Sequence, residues 1–362
     1  MSNGWPTADA AIERHTSALA RSCYPPYRVA VTSWTPTPVE VRMRIQPYGA
    51  VALVLACFWQ ATAQTGDPQQ IADPSFNPAI QNRAYPHTHP VVVVDEAHAN
   101  FHTMGGRYKP FADVLRADGY QVAAGTQTFT KASLASARVL VISNALGSSI
   151  NESNVGNPPA AFTDAECDAV RDWVRGGGSL LLIADHSPFG ATAATMAARF
   201  GVEMGKGYVW TVEGNNPEPT TTIAYSRENK SLGDHAITRG VTRVVAFTGQ
   251  SLSVPAGATA LLKLSTAYES AGVNAQSDVA AFREGKPTTA RGVANRAQAI
   301  AFDYGKGRVV MTGEAAMFSA QVIRFTDPQG RTTESKMGMN VPGNDNQQFL
   351  VNILRWLTHY GR

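Results

Sequence analysis

Cysteine is scarce in this chain, three in 362 residues, which excludes a disulfide framework. Charge is sparse too, at 16% of residues, with 31 Lys and Arg against 28 Asp and Glu. The balance of +3 comes with no basic run interleaved with aromatics, so a nucleic-acid footprint is excluded. No apolar run reaches the roughly 20 residues that a bilayer-spanning helix needs. There is no internal repeat and no G-x-x-x-x-G-K-[ST] phosphate loop. What is present is 44% apolar content, enough for a sizeable globular core.

The first 63 residues do not belong with the rest. From Met43 the order is a basic start at Arg44, an apolar stretch over 49–59 and the small-x-small site Ala61-Thr62-Ala63. These are the parts of a secretory signal peptide over 43–63, with cleavage after Ala63. Val54-Leu55-Ala56-Cys57 also resembles a loose bacterial lipobox, which leaves lipid anchoring at Cys57 as the alternative. Residues 1–42 read as an untranslated or disordered extension, since 25–41 is rich in Pro, Thr and Val without any period. Removing Arg14, Arg21, Arg28, Arg42 and Arg44 with Asp9, Glu13 and Glu40 lowers the net charge from +3 to +1. The expected mature protein is exported, periplasmic or secreted, without a membrane span and with Cys167 as its one thiol.

After a lead-in over 64–87, strands and helices alternate from residue 88 to the end. Val91 to Val94, Val139 to Ile142 and Leu180 to Ile183 are continuous apolar runs, as expected of strands covered on both faces. Phe111, Val114 and Leu115 have helical spacing before Gly119, a C-cap glycine. Thr163-Asp164-Ala165-Glu166 predicts a capping box, with Phe162 and Cys167 as its hydrophobic staple. A helix over 191–200, an irregular β-rich insertion over 205–297, a hairpin about Gly305-Lys306-Gly307 and a last helix from Asn344 or Asp345 complete the pattern. Alternation at this spacing implies an α/β domain with a mostly parallel sheet and helices on both faces.

In such a sheet, ligands bind beyond the carboxyl ends of the strands. The polar residues that end these strands are therefore the candidate site: Asp95, Glu96, His98 and His102 after the first, Asn144 after Ser143, Asp185, His186 and Ser187 after Ile183, and Glu314 after Gly313. Three chemistries could use that rim. Asp95, His98, Asp185 and His186 are of the residue types that hold a divalent metal for a hydrolase, and His98 and His102 would face together on a helix. Ser187 could be a nucleophile at a strand-to-helix turn, although the glycines of a nucleophile elbow are missing. The rim could instead bind a small polar ligand, its carboxylates accepting from hydroxyls. A purely structural network, with Asp185 capping the next helix, stands beside all three. Asp95-Glu96-Ala97-His98 also spells a helicase-type Walker-B box, which the missing phosphate loop disqualifies.

Asp95-Glu96-Ala97-His98, the stretch Trp173 to His186, Asp234 to Gly240, Gly307 to Phe318 and Asn344 to Leu357 together resemble the class I glutamine amidotransferase-like superfamily. Within it the chain is most similar to DUF4350-type domains and more distantly to ThuA-like proteins. The resemblance spans about 88–358 and implies a flavodoxin-like fold. It also places Asp185, His186 and Glu314 at positions matching the superfamily's catalytic site. The superfamily's elbow cysteine is replaced here by Asp185-His186-Ser187, and its His-x-Glu by Gly313-Glu314-Ala315, so glutamine hydrolysis is not implied. The expected role is binding or processing a carbohydrate-like ligand. The alternatives are the metal-dependent hydrolase and a non-catalytic interaction module of an envelope complex. No cofactor and no oligomeric state is indicated.

Overall fold

The computed structural model describes residues 69–150, 154, 156–212, 218–326 and 330–361. The leader expected at 43–63, with Cys57, and the extension at 1–42 lie outside the described residues.

Seven strands form the central sheet: β1 (Val91–Asp95), β2 (Gln121–Gly125), β3 (Val139–Ser143), β4 (Ser179–Ile183), β5 (Thr259–Leu264), β6 (Arg296–Tyr304) and β7 (Gly307–Thr312). The five strands β2-β1-β3-β4-β7 are adjacent in that order and mutually parallel. This is the flavodoxin-like order, with its topological switch between β1 and β3. β6 and β5 continue the sheet antiparallel beyond β7.

Side chains alternate across a strand, so a run apolar at every position must be covered twice. Val139 and Val141 of β3 join a cluster containing Phe111, Val114 and Leu115 of α1 (Lys109–Asp118). Leu140 and Ile142 join Cys167, Val170 and Val174 of α2 (Asp164–Arg175) on the opposite face. The C-terminal helix α3 (Asn346–Leu357) lies on the α1 side through Phe349, Leu350, Ile353, Leu354 and Leu357. The capping box forms as read: Thr163 Oγ1 accepts from Glu166 N, and Glu166 Oε2 accepts from Thr163 N. Cys167 is fully buried, and burial pushes its thiol pKa up, as for a core residue and against a nucleophile.

Three features differ from the sequence reading or go beyond it. The helix expected over 191–200 is split into Phe189–Thr192 and Ala194–Ala198. Thr192 Oγ1 donates back to Phe189 O and across to Ala145 O, which satisfies carbonyls outside a continuous helix. The insertion includes a four-stranded sheet of Gly207–Val212, Pro219–Thr220, Tyr268–Ala271 and Arg291–Gly292. From Gln69 onward the lead-in is part of the packed structure, since Gln69–Ala72 pairs antiparallel with Ala320–Thr326, which pairs in turn with Thr332–Gly338. Among the described residues no helix is long and apolar enough to cross a membrane.

Gly119 ends α1 at φ 103°, and a Cβ there would lie 2.1 Å from Tyr85 O of the lead-in. Gly119→Ala is therefore expected to lower stability by at least about 1–2 kcal/mol, the cost of a left-handed L-residue alone. Urea denaturation checks this, and an unchanged midpoint would contradict the close packing of lead-in on helix.

Candidate functional site at the carboxyl edge

The parallel strands share one edge, and the loops that leave it are tied to one another. Asn144, directly after β3, has φ 47°, a left-handed conformation that asparagine tolerates better than most residues. Its Oδ1 accepts from Asp185 N at 2.9 Å, and its own N–H donates to Ile183 O at 3.0 Å, joining the ends of β3 and β4. Phe101 N donates to Asn144 O, which brings the loop after β1 onto the same point.

Asp95 and His98 form one centre. His98 Nδ1 lies 2.9 and 3.0 Å from the two oxygens of Asp95, and its Nε2 lies 2.8 Å from Glu166 Oε1. Both ring nitrogens point to carboxylates, so the imidazolium is the form that satisfies all three groups. Burial opposes charge on His98, but the bonds and charges of Asp95 and Glu166 outweigh it and raise its pKa. For Glu166 burial is again opposed, here by His98, Thr163 and the Phe129 amide, which draw the carboxyl down to about 2. Asn100 Nδ2 bonds Asp95 Oδ2 and Ser143 O, completing a fully satisfied buried network.

The two shifts act at opposite ends of the pH scale. Glu166, depressed from 4.5 to about 2, contributes stability that is present above about pH 4.5 and is lost as pH falls toward 2. His98, raised above 6.5, contributes stability that is complete below that value and is lost as pH rises through its folded pKa. Glu166→Gln should flatten the acid limb of a melting-temperature profile. An acid limb of unchanged slope would contradict the pairing.

A second centre gathers around Asp185, which is 6% exposed. Its Oδ1 accepts from His186 N at 2.7 Å and from Thr248 Oγ1 at 3.3 Å, while its Oδ2 receives no hydrogen bond among the described residues. The imidazole of His186 stacks on Tyr208 at 4.2 Å, with Nδ1 2.7 Å from Ser187 O. His102 stacks on Tyr108 at 4.4 Å and bonds Ser143 Oγ through Nδ1. Burial first, then the charges of Arg107 and His186, pull His102 down to about 3, so its ring is neutral in ordinary buffers.

Glu314 is fully buried near Asp185. Burial, and then the like charge of Asp185, push its carboxyl well above the usual range, against the pull of the Met317, Ala316 and Phe247 amides. Its oxygens accept from Ala316 N at 2.8 Å and Met317 N at 2.7 Å, capping the turn after β7.

The residues read as one rim are therefore in two groups. Asp95 and His98 are committed to Glu166, whereas His186 and Glu314 adjoin Asp185, whose carboxylate is incompletely bonded, and His102 neighbours His186. His98 and His102 do not share a helical face, because the loop between them turns: Glu96 Oε1 accepts from Met104 N and His98 N donates to Asn100 Oδ1. Asp185 caps no helix, since the next one, Phe189–Thr192, has Pro188 at its N-cap and no side-chain cap. Ser187 packs against Gly272, where a Cβ would come within 2.5 Å of its Oγ, and no base holds that hydroxyl among the described residues. Among the described residues no three His, Cys, Asp or Glu are grouped to hold a metal ion. Glu166, Tyr108, Tyr208 and Thr248 were not foreseen as site residues, and only Glu166 carried a signal, as the capping-box glutamate.

No protein-family model matches the chain, and no curated protein does. Solved structures similar to it include the mmIFT52 N-terminal domain, at 17% identity over 74% of this chain and 97% of that one, with a TM-score of 0.49. A ThuA-like protein from Bacteroides uniformis is 12% identical over 78% of this chain and 94% of its own, with a TM-score of 0.38. A GMP synthase subunit from Thermoplasma acidophilum is 10% identical over 75% and 96%, with a TM-score of 0.37.

Proposed function

We propose that this chain is an exported protein of amidotransferase-like fold that binds a small, hydroxyl-rich, carbohydrate-like ligand at the carboxyl edge of the sheet, without amidotransferase chemistry. The observation that carries the proposal is Asp185, a nearly buried carboxylate with one oxygen accepting two hydrogen bonds and the other accepting none among the described residues. Among the described residues that second oxygen is not sealed from solvent, so a ligand hydroxyl can reach it and donate to it. His102 adds a neutral imidazole able to donate or accept, and the aromatic rings of Tyr208 and Phe189 flank His186. Glu314, its carboxyl raised by burial and by the nearby charge of Asp185, is the second carboxyl at this edge. Hydrolysis of the bound molecule is the catalytic form of the same reading.

Binding to the native state must raise stability, by about 2.7 kcal/mol at a ligand concentration one hundred times Kd. A panel of neutral and acidic monosaccharides and disaccharides should contain members that raise the melting temperature in a saturable way. A panel without a single shift would defeat the proposal.

A further inference from the structure

We propose that Arg107 makes this site selective for an anionic member of that ligand class, a hydroxylated carboxylate such as a sugar acid, whose carboxylate is received by the guanidinium while its hydroxyls meet Asp185 and His102. This rests on the Asp185 site being a ligand site, and adds to it the charge of the ligand.

Arg107 lies in the loop between β1 and α1 and is half-buried. Its Nε donates to Gln70 O at 3.3 Å, and its guanidinium lies over the Phe101 ring, 4.4 Å from the centroid. Those two contacts fix the plane of the fork. Among the described residues no carboxylate pairs with it, and its two terminal nitrogens make no hydrogen bond. Half-buried Arg355 pairs with Asp118 and Arg199 with Asp168, whereas half-buried Arg138, like Arg107, is held by a backbone carbonyl. The terminal nitrogens of this fixed guanidinium are not sealed from solvent, so a bound carboxylate can take a two-pronged hydrogen bond from them.

The position fits the reading. The Phe101 ring that supports the guanidinium also touches His102, at 5.3 Å, and Phe189, at 5.6 Å. Phe189 in turn meets His186 at 6.1 Å, so a continuous aromatic floor joins Arg107 to the Asp185 centre. Burial lowers the Arg107 pKa, and His102 is held neutral partly by the charges of Arg107 and His186, which sets this cation beside that ring. The first turn of α1 follows at Lys109 and contains no acidic residue, so the positive end of its dipole adds a field of the same sign.

The test is isothermal titration of the full chain with glucuronate and with glucose. Glucuronate should bind about ten- to a hundredfold more tightly, the range expected of a charged hydrogen-bonded contact. In Arg107→Gln the two affinities should converge with that for glucose unchanged, and Arg107→Lys should recover part of the difference. Equal affinities in the unmodified chain, or a preference that survives Arg107→Gln, would overturn the assignment while leaving the polar site intact. Binding of neither sugar, together with no melting shift across the panel, would remove the site and the assignment together.

Discussion

His98→Ala should destabilise the protein by about 3–5 kcal/mol, the cost of removing one partner from a buried ionic group. The substitution leaves Asp95, which has no exposed surface, and Glu166 facing each other across the space the imidazolium filled. It also removes a ring packed between Phe129 and Phe162, at 4.6 and 4.8 Å. Since a whole domain has about 5–15 kcal/mol of stability, the loss should show as a large fall in the urea midpoint. A change below about 1 kcal/mol would mean the pair is solvated and contributes as a surface contact does. A double-mutant cycle with Glu166→Gln should show strong non-additivity, because the two residues share one interaction.

Asp185→Asn should behave in the opposite way, costing ligand affinity and sparing the fold. Replacing a charged acceptor by a neutral one removes about 1.5–3 kcal/mol of hydrogen bonding, a roughly ten- to 150-fold rise in Kd. The amide oxygen can still accept from His186 N and Thr248 Oγ1, so the local scaffold is kept. Removing the charge also relieves Glu314, whose carboxyl is destabilised by burial and by Asp185. The melting temperature of the unliganded variant should therefore hold or rise, as is usual when a strained functional group is replaced. A drop of several degrees with unchanged affinity would make Asp185 a structural residue.

The sheet could be read from composition along the chain because β3, β4 and β7 are buried at every position and carry apolar runs, and β1 alternates buried with half-buried valines. The hairpin of β6 and β7 announced itself by Gly305 and Gly307, of which Gly305 has φ 61°. The strand Thr332–Gly338 went unread because most of its side chains are exposed and leave no alternation to detect. The edge site was readable as a list of strand-end residues but not as a partition. Which histidine pairs with a carboxylate depends on the turn taken between His98 and His102, fixed by Asn100 and Glu96 bonding backbone amides. Arg107 and Tyr108 carry no motif at all. They enter through the path of one loop from β1 to α1, where packing rather than local propensity decides.

The account is tested most directly by following backbone amide resonances while the full chain is titrated with a sugar that raises its melting temperature. Saturable shifts should concentrate at His102, Asn144, Asp185, His186 and Thr248, with residues about Asp95 and His98 responding less. Shifts absent from this edge, or centred on another surface such as that around Tyr268, would contradict the assignment of Asp185 as the ligand acceptor.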